Sequence, residues 1–289
     1  PQALKYDHNI TKFADILLPE EAETPILSPS IRQATRQWLV ELAAEEELSA
    51  VGLKPRRSCI LSGPPGCGKT TLAHHFSARL GLPMVLVNMA ALASQWVNET
   101  GRNVNAMFEA IDAQKDSCVL FLDEFDALGT KRSDQGTGAS KERNSIVISF
   151  LQKIDRFTGI MIAATNRADD IDPALWRRFG MQLEIREPDD EARFAILTRY
   201  LSPFSLSEEA MSFLCTMTAG ASPAVLRQLM EGIKREMVLA PRYGQPVAAD
   251  AVFRRLLVAV RPHADAVLPP LWLDNPNVMR DIARLPWPP

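Results

Sequence analysis

The chain has 289 residues, 46% hydrophobic and 23% charged, a balance that fits a globular protein with one large and one smaller domain and excludes a disordered or collagen-like chain. With 32 Lys and Arg against 35 Asp and Glu the net charge is −3, so no overall basic field recommends nucleic acid or an anionic membrane as the main partner. No apolar stretch approaches the ~18 residues of a membrane span, and Cys59, Cys67, Cys118 and Cys215 form no CxxC pair, which predicts reduced packing residues in a cytoplasmic protein.

Residues 1–57 read as a leading segment with one helix. Ser28 with Pro29 makes a cap and first turn, and Ile31, Ala34, Trp38 and Leu42 fall on one helical face, so this helix is expected to pack against a sheet. From Ser58 short apolar runs alternate with helical patterns, the mark of an α/β domain whose parallel sheet is covered by helices on both faces. Five strands are expected over 58–188: Ser58 to Leu61, Met84 to Asn88, Val119 to Asp123, Ile160 to Ala164 and Gln182 to Ile185.

The first strand runs into Gly63-Pro64-Pro65-Gly66-Cys67-Gly68-Lys69-Thr70, followed by the helix-forming Thr71-Leu72-Ala73. This is the strand, glycine-rich turn and helix of a phosphate-binding loop. Glycines let the backbone aim N–H groups at phosphates, and the helix adds its positive end. A nucleoside triphosphate is therefore the expected ligand, with Lys69 at the β- and γ-phosphates and Thr70 on Mg²⁺.

Val119 to Leu122 ends in Asp123 and Glu124, which puts two carboxylates at the carboxyl end of a buried strand, where α/β sheets bind ligands. Asp123 is expected to hold Mg²⁺ and Glu124 to deprotonate the attacking water. The next apolar strand ends in Asn166, an uncharged group able to touch both the γ-phosphate and the water. Asp172 with Pro173 starts a further helix and leaves Arg177 and Arg178 near its end. Adjacent surface arginines are commonly solvated or ion-paired, but in an oligomer they could reach a neighbour's γ-phosphate.

After Pro188 the strands stop. Asp189 to Tyr200, Ser207 to Thr218, Ser222 to Leu239 and Ala248 to Val260 carry helical periodicity, which predicts a small all-α domain over 189–262. Residues 263–289 form a Pro- and Trp-containing tail, expected as a strap over the small domain rather than a free docking peptide. His74-His75 lacks the spacing of a zinc protease, so no effector chemistry of that kind is visible.

Together Gly63 to Thr70, Leu120 to Glu124, Ala163 to Asn166 and Asp172 to Phe179 resemble, in this order, an AAA ATPase of the AAA+ superfamily, over about 12 to 240. Arg177-Arg178-Phe179 is similar to the katanin and spastin type. The resemblance implies a P-loop NTPase large domain with a helical lid, and a homo-hexameric ring with ATP at each subunit interface. It makes Asn166 the first sensor and Arg177 and Arg178 the fingers for the neighbouring site. It also implies that Trp96 and Val97 form a pore loop gripping a protein substrate, with Asn98 in place of the family's glycine. Thr130 to Lys141 matches a second pore loop that includes Lys131 and Arg132, and Phe13 to Leu17 matches the adenine-contacting segment, with Ile16 flanking the base. Gly220 to Leu226 is similar to the lid segment with Pro223 and Val225 substituted, and Arg227 follows the place of a second sensor.

Two further function classes compete with a protein-remodelling ATPase: an AAA+ ATPase acting on DNA, and a slow nucleotide switch. The negative charge and the lack of a DNA-binding motif after the lid oppose the first; Glu124, Asn166 and both arginines oppose the second. By analogy with small stand-alone bacterial members, a separate protease partner is also an expectation.

Overall fold

The computed structural model describes residues 14–90, 100–129, 147–148, 150–263 and 267–289. These residues fall into two compact units. One comprises the chain up to Pro25, Pro29–Gly63 and Lys69–Ile185; the other comprises Ile26–Ser28, Pro64–Gly68 and Arg186–Pro289.

The first unit is built on a six-stranded sheet: β1 Ala14–Leu17, β2 Ser58–Ser62, β3 Met84–Asn88, β4 Val119–Asp123, β5 Ile160–Thr165 and β6 Met181–Glu184, in the order β1-β3-β4-β5-β2-β6. β4 and β5 lie inside the sheet, and Val119 to Leu122 and Ile160 to Thr165 are all buried, as continuous apolar runs covered on both faces must be. The five expected strands are present and mutually parallel. β1 is an addition: it pairs antiparallel with β3, Ala14 opposite Val87 and Leu17 opposite Met84. Its four residues, three half-buried and Asp15 exposed, are ended by Leu18 and Pro19 and carry too little apolar pattern to read as a strand.

Helices α1 Pro29–Ala43, α2 Glu45–Ala50, α3 Lys69–Arg79 and α4 Thr100–Asp112 accompany the sheet. Trp38, on the expected face of α1, stacks on Phe76 of α3 with centroids 4.1 Å apart, and its indole N–H donates to Arg56 O. Val104, Met107, Phe108 and Ile111, spaced three and four apart on α4, enter the core. Phe108 and Phe125 each meet Phe150 edge to face, and Phe125 meets Phe179 in the same way.

The second unit is helical after Ile185. A short α5, Asp126–Gly129, and α6, Pro173–Trp176, still belong to the first unit; α7 Asp190–Leu201, α8 Glu208–Met217, α9 Pro223–Leu239, α10 Ala249–Ala259 and α11 Pro276–Ala283 make up the rest. Asp189, Ser207 and Ser222 cap α7, α8 and α9 through their side-chain oxygens, and Pro223 opens α9. Leu197, Leu214, Leu229, Ile233 and Phe253 form the centre of a separate core. The tail packs on that core: Leu271 is buried, and the indole N–H groups of Trp272 and Trp287 donate to Val260 O and Val247 O. The tail thus lies as a strap on its own unit through Leu271, Trp272, Val278, Ile282 and Trp287, while Val267, Leu268 and Leu273 stay exposed.

Candidate functional site

Because the five core strands are parallel, their carboxyl ends share one edge. Ser62 pairs with Thr165, and Asn88 with Asp123, so Gly63, Glu124 and Asn166 each lie one residue beyond that edge. Gly63 has φ 141°, and a Cβ there would stand 1.9 Å from Ile185 O, so the chain can leave β2 only at a glycine. Gly66 and Gly68 also have left-handed φ values, 75° and 87°, while Cys67 is buried.

α3 begins at Lys69, which is only 8% exposed. Its Nζ donates to Gly63 O and to Asn166 Oδ1, each at 2.7 Å. One residue on, Thr70 Oγ1 donates to Asp123 Oδ2 at 3.3 Å, while the other Asp123 oxygen accepts from Glu124 N at 2.9 Å. Thr71 follows, half-buried in the first turn of α3.

Glu124 has φ 52°, the only left-handed non-glycine among the described residues. A carboxylate residue held there costs about 1 kcal/mol or more, a strain that persists only where surrounding contacts impose it. Here Phe125 imposes it: its ring is buried and its N–H donates to Ala164 O on β5. Glu124 is consequently thrown out of the strand and is exposed.

Arg177 and Arg178 follow α6, whose N-cap Asp172 accepts from Ala174 N at 2.7 Å, as the Asp-Pro start predicts. They lie at the other end of β2 from Gly63. Ser58 Oγ, at the start of β2, donates to Arg178 O and accepts from Gly180 N. Arg178 Nε is 3.2 Å from Asp155 Oδ1, and both side chains are about half exposed.

Residues 59–187 match the family described as "ATPase family associated with various cellular activities (AAA)". The chain carries an AAA-family ATPase domain over residues 59–187. It is 39% identical over 180 residues to an uncharacterized AAA family ATPase, y4kL, of Sinorhizobium fredii, covering 61% of this chain and 53% of that protein. It is 32% identical over 237 residues to a proteasome-activating nucleotidase of Thermococcus gammatolerans, covering 74% and 59%. The chain thus spans between half and three fifths of the length of these curated relatives. The crystal structure of the FIGL-1 AAA domain superposes with a TM-score of 0.70 at 21% identity, over 92% of this chain and 93% of that one. A second FIGL-1 structure, in complex with ADP, gives 0.69. That likeness is one of fold.

The sequence-expected residues do not all come together. Gly63, Lys69, Thr70, Asp123, Glu124 and Asn166 converge on one edge, and Arg177 and Arg178 stand at the opposite one. Trp96, Val97, Lys131 and Arg132 lie outside the described residues. Ile16 sits in the edge strand β1 opposite Val85, with β3, β4 and β5 between it and β2, and is not among the residues that meet at the Gly63 edge. Arg227 is engaged within α9 by Glu231 at 2.8 Å and lies over the Tyr200 ring.

Three participants escaped sequence reasoning. Asp126 accepts from Thr165 Oγ1, Asp155 partners Arg178, and Ser58 fixes the arginine segment to β2. Asp126 did leave a signal, as a third acid two residues beyond the Asp123-Glu124 pair. Among the described residues no group of three or more His, Cys, Asp and Glu side chains is arranged to hold a metal, and no helix is long and apolar enough to cross a membrane.

Proposed function

We propose that this chain hydrolyses ATP within a ring of identical subunits, a homo-hexamer, and uses the cycle to remodel a protein substrate. The observation that carries the reading is the convergence of Lys69, Thr70, Asp123, Glu124 and Asn166 at one sheet edge, tied by the Lys69–Asn166 and Thr70–Asp123 hydrogen bonds. Gly63, Pro64, Pro65, Gly66, Cys67, Gly68 and Thr71 complete the loop and first helical turn, and the backbone N–H groups other than at Pro64 and Pro65, which have none, would receive the phosphates.

Mg²⁺ fits the donors present. Thr70 Oγ1 and Asp123 Oδ2 are hard oxygens 3.3 Å apart, and these two residues would hold it. A site of one carboxylate and one hydroxyl suits a cation that keeps waters and substrate phosphates as its remaining ligands. When bound, the ion supplies charge neutralisation at the phosphates. Lys69 holds the same phosphates from the helix side.

Glu124, exposed beyond the strand, takes a proton from the water whose oxygen attacks the γ-phosphorus; the bond to the β,γ-bridging oxygen breaks, and ADP leaves. Asn166 orients that water with its amide. A transition-state cation is still needed, and Arg177 and Arg178 of the same chain are badly sited to supply it. The five residues of β2 separate Ser58, beside Arg178, from Gly63, about 16 Å at the rise of a strand. Another subunit's Arg177 and Arg178 would meet the need, which is why the reading includes an assembly.

Protein as the substrate class is supported by the proteasome-activating nucleotidases among the relatives and by the net charge of −3, which gives nucleic acid no general attraction. Trp96 and Val97 are proposed to grip the polypeptide, and a separate protease is a proposed partner. Glu124→Gln tests the reading: nucleotide binding should persist while turnover falls about a hundredfold or more. Wild-type turnover would remove Glu124 from its role. The stalled variant should retain proteins on purification, whereas recovery of DNA would overturn the substrate class.

A further inference from the structure

We propose that Asp126 is a positioning residue that sets the spacing between Glu124 and Asn166. The proposal rests on the hydrolysis reading above and concerns how its two water-facing side chains are kept in register.

The ladder between β4 and β5 ends with Leu122 opposite Ala163. Beyond it the strands must part, because Glu124 turns left-handed and leaves the strand direction. Two links continue where the ladder stops. Phe125 N donates to Ala164 O at 2.9 Å, and Asp126 Oδ1 then accepts from the Thr165 hydroxyl at 2.8 Å and from Asn166 N at 3.4 Å. Thr165 is 1% exposed and its hydroxyl oxygen also accepts from Arg167 N, so its rotamer is fixed from both sides. One carboxylate oxygen therefore substitutes for a missing backbone acceptor and fastens the peptide that carries Asn166 to the turn that carries Glu124.

The same bond acts on Lys69, because Asn166 Oδ1 is the acceptor of its ammonium. Freeing the Asn166 backbone would let the amide drift by a fraction of an ångström to an ångström. Phosphate binding tolerates such drift, since it depends on the loop and on Lys69. Attack by a water aligned between Glu124 and Asn166 does not, and an error of about 1 Å in such geometry costs on the order of a hundredfold. Asp126 touches neither the phosphates nor the water in this arrangement, so its effect should fall on kcat and spare binding.

The experiment is ATP turnover by the full chain, with fluorescent ADP analogue affinity and Tm measured beside it. Asp126→Ala should lower kcat about 10- to 100-fold with KM and analogue affinity within about twofold. Asp126→Asn keeps an acceptor oxygen and should stay within about threefold of wild type. Thr165→Val removes the donor at constant volume and should reproduce the alanine defect, and the double variant should be no worse than the more severe single one. Wild-type kcat in Asp126→Ala, additive losses in the double variant, or a fall in analogue affinity that matches the fall in kcat would each overturn the proposal. So would an Asp126→Asn as slow as the alanine variant, because the carboxylate charge rather than its acceptor oxygen would then matter. Glu124→Gln in the same assay separates the layers: if it turns over ATP the hydrolysis reading fails, and if it is inactive while Asp126→Ala is not, only the positioning role fails.

Discussion

Lys69 Nζ lies 2.7 Å from Asn166 Oδ1 and 2.7 Å from Gly63 O, so one nearly buried ammonium joins the start of α3 to the ends of the two neighbouring strands β2 and β5. The contact makes the strand-ending asparagine and the loop lysine parts of a single arrangement, although they are far apart in sequence. On the proposed hydrolysis reading it also separates their duties. Lysine carries the charge that phosphate needs, while asparagine presents a neutral amide beside it.

Substitution should expose that division. Lys69→Ala should weaken ATP and ADP binding more than about tenfold, since hydrogen bonds to charged groups contribute about 1.5–3 kcal/mol. Asn166→Ala should leave ADP affinity within a few-fold and lower kcat about 10- to 1,000-fold, as expected for a group working on the transition state. Calorimetric titration with ADP and steady-state turnover distinguish the two, and parallel losses of affinity in both variants would sink the division.

Glu124 invites a test in the opposite direction. Its φ of 52° suits glycine, so Glu124→Gly removes the side chain and relieves the backbone at once. The variant should melt at the wild-type temperature or up to about 3 °C higher while losing turnover. A lower Tm would mean that the carboxylate stabilises the fold.

The proposed assembly can be tested without imaging a ring. A Lys69→Ala chain has an impaired loop but intact arginines, and an Arg178→Ala chain has the reverse. Each alone should be slower by about a thousandfold or more. Mixed, they should recover a measurable fraction of wild-type turnover, because a subunit with a sound loop then meets a neighbour with a sound finger. No recovery after mixing and reassembly would argue that Arg178 acts elsewhere. The Arg178–Asp155 contact does not oppose the reading, since a half-exposed pair is worth about 0–1 kcal/mol and yields readily to a better partner.

How much of this was legible beforehand depends on how local each signal is. Parallel strands such as β4 and β5 are buried on both faces and announce themselves as apolar runs, and the caps Asp189, Ser207 and Ser222 mark helix starts within three residues. Lys69, Asp123 and Asn166 were found because each ends or follows such a run. β1 was missed because an antiparallel edge strand of four residues has no periodicity of its own. Asp126 and Asp155 were missed for a different reason. Their meaning lies in which oxygen or guanidinium stands across from them, and spacing along the chain carries no record of that.

The clamp on α1 yields a pH dependence. The Glu41 carboxylate accepts from Arg56 N at 2.8 Å and from Arg56 Nε, and is ion-paired with the same guanidinium through Nη2, while Trp38 Nε1 donates to Arg56 O. The Arg56 side-chain hydrogen bond holds the Glu41 carboxyl below its ordinary value of 4.5, against the opposing effect of burial. A depressed folded value means that the contribution is complete above about pH 4.5, where the unfolded carboxyl is also ionised, and is lost as pH falls through the lower folded value. Because the Arg56 side chain is 50% exposed, screening keeps the contribution under about 1 kcal/mol. Glu41→Gln should therefore be less stable than wild type by up to that amount in urea unfolding at pH 7, and the gap should close on acidification below about pH 4.5 and narrow in high salt. A gap that stays constant from pH 7 down to pH 3 would show that packing, and not the charge of Glu41, is what α1 requires there.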